Sequence, residues 1–389
     1  MKENGIQISK DQKKELIKNL SSFKNFDLKL FITKEQIRSS NCASYSELSN
    51  LINIAVKKVL NLSDSKTQKL LNDIQERTAK SIIKTAIDNI HKRYKNSWKE
   101  QLLTKQKLDY DYNQRLKRAW EEPIDKMEAF INFVVSSFSF IDKDLSHPNQ
   151  EDSDKINVLT RLLARSIIIA KEVLVLIKSG FSDGAYARCR ANYESTVIAI
   201  FIEQRPEIYA TKYIEHLAIQ DFKIELERRG ESPYNDPEHE KYFQQVQEER
   251  NRLIEIYGPK FKMDYGWAYN SDDLAQPVFS EIERIVSLSH FRLNYRSAST
   301  FIHSNSGSLF NQVSIPPNAD YYLTGASSFG LEVPGTWTTF ILWQMFTVYL
   351  TCEEPILDRL AISEVIYIIR KDVIESFYKV ADSMKINKK

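Results

Sequence analysis

Residues 155–180, KINVLTRLLARSIIIAKEVLVLIKSG, run directly into residues 181–204, FSDGAYARCRANYESTVIAIFIEQ, and the reading of this pair decides the fold. Apolar residues recur at helical spacing through both halves, with no period-two alternation to compete with them. Gly180 is placed to stop the first helix in a left-handed conformation, and Ser182 or Asp183 is placed to cap the second. A connection this short makes the two helices antiparallel neighbours. On the second helix Ala187, Ala191, Glu194, Ile198 and Phe201 follow helical spacing, which puts a carboxylate in the middle of an apolar face. Arg190, one turn earlier, is the expected partner. Breaking a buried pair of this kind costs about 3–5 kcal/mol. Arg188, with Asn192 and Ser195, is expected on a different, solvated face.

The same signals extend outward. No glycine occurs between Gly5 and Gly180, and Pro123 is the first proline. The first 122 residues therefore contain few punctuators of a sheet or hairpin protein, and long helices are the natural reading. SELSNLINIAVKKVL (46–60) and SIIKTAIDNI (81–90) each carry one apolar helical face. Further helical segments are expected at 124–142, 154–178, 184–204, 207–229, 238–256, 278–303, 337–352 and 362–382. Strand-like alternation appears only briefly, near 319–333. The expected class is all-α, a multi-helix bundle with one long irregular loop near 316–337. Its tyrosines and phenylalanine suit either a lid after His303 or a hairpin folded over the bundle.

Charge divides the chain near the first proline. Residues 1–120 hold 25 Lys and Arg against 13 Asp and Glu, whereas the remainder holds 29 against 39. This gives a basic helical N-terminal region, 1–122, and a bundle domain, 123–389. Within the first, Lys92, Arg93 and Lys95 lie beside Tyr94 and Trp98, and Arg115, Lys117 and Arg118 lie beside Trp120. Interleaved cations and aromatics suit nucleic-acid binding; a solvated surface, or one docked on an acidic protein face, explains them equally.

Cys42, Cys189 and Cys352 are far apart and form no metal or disulfide pattern, so neither a cofactor nor a metal site is expected. The chain carries no P-loop, dinucleotide fingerprint, nucleophile elbow or HExxH motif. Its other histidines, His91, His147, His216, His239 and His290, show no ligand spacing. The first 30 residues lack an apolar signal core and no run reaches membrane-span length, so a cytoplasmic protein with no membrane partner is expected. The aromatics from Tyr257 to Tyr269 are read as a loop pinned to the core, with base stacking as the alternative.

NYRSASTFIHSNSG, 294–307, is expected to close one continuous helix beginning near Phe279. Arg296 and His303 would then share a side of it, with Ser299 between them, and Tyr295, Ser299 and His303 would form a hydrogen-bonding ladder. A histidine at a helix C-terminus also gains from the macrodipole without any chemistry. AYARCRANYES (185–195), YGWAYN (265–270) and YRSASTFIHSNS (295–306) together resemble a family of uncharacterised bacterial helical proteins, with an Arg/Glu helix ahead of a Tyr, Ser and His helix. The likeness covers about residues 123–360. More distantly, Arg296 and His303 resemble the R-x4-6-H motif of the HEPN superfamily, in which a polar Asn, Asp or His often follows the arginine; here Ser297 does.

That resemblance implies a metal-independent endoribonuclease of a toxin or phage-defence system, acting as a homodimer on RNA. His303 would be the acid–base group, Arg296 would hold the phosphate, and Tyr295 or Ser299 would orient the imidazole. Arg190 and Glu194 would support the site. The basic N-terminal region would bind RNA or a protein partner. The alternative is a non-catalytic helical scaffold, or a nucleic-acid-binding or partner-binding protein, whose Arg/Glu and Tyr/Ser/His positions hold helices together.

Overall fold

The computed structural model describes residues 65–145, 153–231, 237–270, 272–303, 306–316, 319–352 and 357–386. The amphipathic stretch 46–60, Cys42 and His147 lie outside them, as do Ser304 and Asn305. Among the described residues the architecture is all-α, with one isolated bridge pairing Asn270 with Leu274. The helices are α1 (Ser65–Leu145), α2 (Asp154–Lys178), α3 (Ser182–Glu203), α4 (Ile208–Glu215), α5 (Leu217–Glu231) and α6 (Pro237–Tyr257). They continue as α7 (Phe279–Ile285), α8 (Arg292–Thr300), α9 (Ser306–Phe310), α10 (Glu332–Thr351) and α11 (Leu357–Ile386). Short 3-10 turns cover Pro259–Lys262, Gly266–Ala268 and Ser289–Phe291. No helix among the described residues is long and apolar enough to cross a membrane.

The chain divides into two compact units, Met1–Lys107 and Leu108–Lys389. In the first, the described residues are the N-terminal part of α1. That helix continues through Pro123, whose missing N–H removes one hydrogen bond without ending it. In the second unit α1 buries Leu116, Trp120, Ile124, Met127, Ile131 and Val134, spaced by fours and threes as one helical face requires. Trp120 is fully buried, packs on Phe377 of α11 and donates its indole N–H to the Ser328 carbonyl at 3.0 Å. It is a core residue and offers no face to a base.

The central hairpin forms as its sequence predicts. Gly180 has φ +78°, Phe181 N–H reaches the Leu176 carbonyl and Gly180 N–H reaches the Ile177 carbonyl, the paired bonds of a Schellman stop. A Cβ on Gly180 would fall 2.9 Å from the Ser327 carbonyl, so the position is closed to larger residues by packing as well as by φ. Asp183 does not cap α3. Its carboxylate accepts from the Val313 and Ser314 N–H groups and the Ser314 hydroxyl, while Ser327 N–H donates to the Gly180 carbonyl. The irregular segment after α9 is thus tied back to the α2–α3 turn.

Two expectations on this hairpin are corrected. Asn192 and Ser195 are buried, on the side of α3 that also carries Arg188. Arg188 is instead paired with Glu172 of α2 at 2.5 Å. The loop expected to run to 337 ends earlier, since α10 begins at Glu332. Pro334 falls in its first turn, where a helix needs no N–H.

Gly335 lets α10 approach α11 closely: a Cβ there would lie 2.4 Å from the ring of fully buried Phe377. The Tyr257–Tyr269 aromatics are pinned, with Phe261 and Trp267 buried and Trp267 packed edge-on to Phe201 and Tyr213. Buried His216 fixes the same segment, its Nε2 lying 3.1 Å from the Phe261 carbonyl and 2.9 Å from that of Met263.

Two measurements check this packing. Gly335→Ala should lose about 1–3 kcal/mol, read from the melting transition, because the clash exceeds the gain in helix propensity. Burial depresses the His216 pKa below its ordinary 6.5 although both carbonyls favour the charged ring. The unfolded chain therefore takes up this proton first as pH falls. The contribution is intact above about pH 6.5 and is lost below it, so thermal stability should decline into acid with a shallower slope in His216→Gln.

Candidate functional site

The segment expected to be one helix from Phe279 to His303 is two helices at an angle. Ser287, with φ +59°, ends α7: Leu288 N–H bonds to the Glu283 carbonyl at 3.0 Å and Ser287 N–H to that of Arg284 at 3.1 Å. This is the same Schellman stop as at Gly180, with serine in the left-handed position. A short 3-10 turn follows, and α8 then runs over α3.

The break brings together groups that a straight helix would separate. Glu283 and Arg292 are nine residues apart, which on a continuous helix is roughly half a turn out of phase. Here Arg292 Nη1 reaches Glu283 Oε2 at 2.8 Å. The other oxygen, Oε1, accepts from the Tyr193 hydroxyl of α3 at 2.8 Å. Glu283 is 1% exposed, and both of its oxygens are answered. Burial first, and the Glu283 hydrogen bond second, push the Tyr193 pKa well above its ordinary value, so this hydroxyl stays a donor.

Less than one turn along α8 a second junction meets α3. The Tyr295 hydroxyl donates to Glu194 Oε1 at 2.7 Å and accepts from Arg190 Nη2 at 3.0 Å, while Arg190 Nε donates to Glu194 Oε1 at 3.1 Å. The guanidinium groups of Arg190 and Arg292 lie 5.0 Å and 5.2 Å from the centre of the Tyr295 ring. The ring also packs on Phe279, which contacts Tyr265. Burial works against the Arg190 charge, but Glu194 and Tyr295 outweigh it and hold its pKa above normal. Tyr295 is raised by burial and by its bond to Glu194, and Tyr265 is pushed up to about 12 by burial and by the same carboxylate. The expected Arg190–Glu194 pair is therefore present, with Tyr295 as its third member.

The ladder expected from Tyr295 through Ser299 to His303 is not formed. Tyr295 points into the junction, and the Ser299 hydroxyl donates to the Tyr295 carbonyl at 2.7 Å, closing on its own helix. α8 ends at Thr300, so His303 lies in the turn beyond it. Arg296 and His303 are both exposed, and neither side chain makes a hydrogen bond or ion pair among the described residues. Lys92, Arg93 and Lys95 are exposed on α1 in the first unit. Arg115, Lys117 and Arg118 are exposed on α1 in the second, where Lys117 approaches Glu121 at 3.7 Å. Among the described residues no group of three His, Cys, Asp or Glu side chains is placed to hold a metal ion.

Glu283, Arg292 and Tyr193 escape a reading from sequence because serine, not glycine, marks the break. Two helices joined through an Arg/Glu/Tyr junction, with an exposed Arg and His beyond it, define the class of site. Residues 156–320, which contain both junctions, match the model of DUF5677, a family of unknown function. No curated protein and no solved structure matches the chain.

Tyr295→Phe should cost about 1–3 kcal/mol, since it leaves half-buried Arg190 and Glu194 without their shared hydroxyl. Glu194→Ala should cost more, and His303→Ala should melt with the wild type. Thermal unfolding of the three variants reads the order.

Proposed function

We propose that the outer side of α8 and the turn after it form a metal-independent endoribonuclease site, with His303 and Arg296 as the acting groups. What supports the reading is that these two side chains are exposed and make no hydrogen bond or ion pair among the described residues, while Tyr295, adjacent to Arg296, is locked into the α3 junction. The charged groups that hold the fold are paired with one another; Arg296 and His303 stand outside that pairing. The spacing resembles the R-x4-6-H motif of the HEPN superfamily, and the reading takes its chemistry from that resemblance.

In this reaction the imidazole of His303 removes the proton of a ribose 2′-hydroxyl. The 2′-oxygen attacks the adjacent phosphorus, the bond to the 5′-oxygen breaks, and the leaving oxygen takes a proton from an imidazolium or from water. The products are a 2′,3′-cyclic phosphate and a 5′-hydroxyl end. Arg296 stabilises the charge on the non-bridging oxygens. A homodimer would supply the second imidazole as the acid. Arg190 and Glu194 act through Tyr295 and are positioning residues.

A second reading is a non-catalytic helical scaffold, favoured by the closed Arg190–Glu194–Tyr295 network, which by itself explains why an Arg/Glu helix and a tyrosine helix occur together.

Incubation of purified protein with single-stranded RNA in the presence of a chelator separates the two. Cleavage should fall about 100-fold or more in His303→Ala and in Arg296→Ala, with melting unchanged. Cleavage at the wild-type rate by His303→Ala would remove the histidine from the mechanism. No cleavage by the wild type, with His303→Ala as unstable as Glu194→Ala, would leave the scaffold.

A further inference from the structure

The part of α1 that lies in the first unit carries an apolar face with no partner among the described residues. Ile83, Ile87, Ile90, Tyr94, Trp98 and Leu102 are each between 40% and 67% exposed. At helical spacing they occupy roughly a third of the circumference over more than five turns. Residues 80–107 hold eight Lys and Arg against two Asp and Glu. Lys84, Lys95, Lys99 and Lys92 follow one another outward from one edge of the apolar face, and Arg93 lies beyond the other.

Three occupants can be weighed against this surface. A second copy of the helix would bring two strongly basic helices together. The stripe also leaves a strict heptad after Tyr94, advancing by fours through Trp98 and Leu102, where a coiled-coil seam would need Ser97, Gln101 and Thr104. Those three turn back on their own helix: Ser97 bonds to the Arg93 carbonyl, Gln101 to Ser97 and Thr104 to the Glu100 carbonyl. The chain's own residues 1–64 hold 11 Lys and Arg against seven Asp and Glu, the same sign as the helix they would cover. RNA would satisfy the cations and leave most of the apolar face in water.

An anionic bilayer surface satisfies both features. The apolar side chains enter the boundary between headgroups and acyl chains, Tyr94 and Trp98 sit at the level an amphipathic ring prefers, and the lysines extend to lipid phosphates. We propose that residues 83–102 of α1 are a peripheral docking surface for anionic phospholipid. This departs from the expectation of no membrane partner, which rested on the lack of a spanning segment; surface binding needs none. The inference is independent of the ribonuclease reading.

Flotation of the full-length protein with vesicles tests it. With equal parts phosphatidylcholine and phosphatidylglycerol the protein should float, and with phosphatidylcholine alone it should not. Ile87→Glu/Ile90→Glu should lower the bound fraction about tenfold or more while melting as the wild type does, and added salt should weaken binding. His303→Ala should float unchanged. No flotation with the anionic vesicles, or flotation unaffected by the double substitution, overturns the proposal. So does a fall in melting temperature of the double variant without lipid, which would show that residues 1–64 cover the face. A dimer in light scattering that the double variant dissolves, or RNA retention that it abolishes in a protein that ignores vesicles, would assign the face to those occupants instead.

Discussion

A carboxylate almost wholly out of water has to be answered inside the protein, and Glu283 is answered on both oxygens, by Tyr193 from α3 and Arg292 from α8. That requirement sets the path of the chain around it. Arg292 can return to Glu283 only because α7 stops at Ser287 and the backbone turns. Once it has turned, α8 lies on α3, Tyr295 meets Arg190 and Glu194, and Arg296 and His303 are left exposed. Strain at a left-handed serine is the cost of this route, and a satisfied buried charge is what holds it.

The two Schellman stops show what a sequence makes legible. At 180 the left-handed residue is glycine, and the end of α2, the antiparallel hairpin and the all-α class follow from reading it. At 287 the same backbone is occupied by serine, and nothing local distinguishes SLSHF from the interior of a helix. The junction at Arg190 and Glu194 was half visible, because a charge on an apolar face demands a partner and its neighbour one turn away could supply it. Tyr295 is legible as a polar group but its direction is not, since the continuous helix that would face it to His303 does not exist. Asn192 and Ser195 are hard to read for a related reason: their side of α3 is polar in sequence, and it is buried only once the helices pack, with Arg188 on the same side paired to Glu172 of α2. Pro334 and Gly335 look like loop residues, yet one occupies a turn that needs no N–H and the other fills a space too narrow for a side chain.

The side chains that anchor α8 and those that reach solvent come from different positions of the helix and the turn after it. Tyr295 and Arg292 face α3 and α7 and are held by charge-assisted hydrogen bonds; Arg296 and His303 face solvent. Because the outward pair takes no part in the junctions, substitutions at Arg296 and His303 need not disturb the packing of α8 on α3. The match to a family model over residues 156–320 covers both junctions and the outward pair.

The tie between the α2–α3 turn and the irregular segment before α10 has a bearing on how such a chain can vary. Asp183 holds Val313 and Ser314, and Gly180 holds Ser327, so both ends of the intervening stretch are fastened at neighbouring points of one turn. Residues between them can be added or removed with the ends still in register, and doubling the length of a flexible loop costs only about 0.6 kcal/mol in closure entropy. Large changes in the size and chemistry of this stretch are therefore open to inheritance while the helices beneath it keep their places.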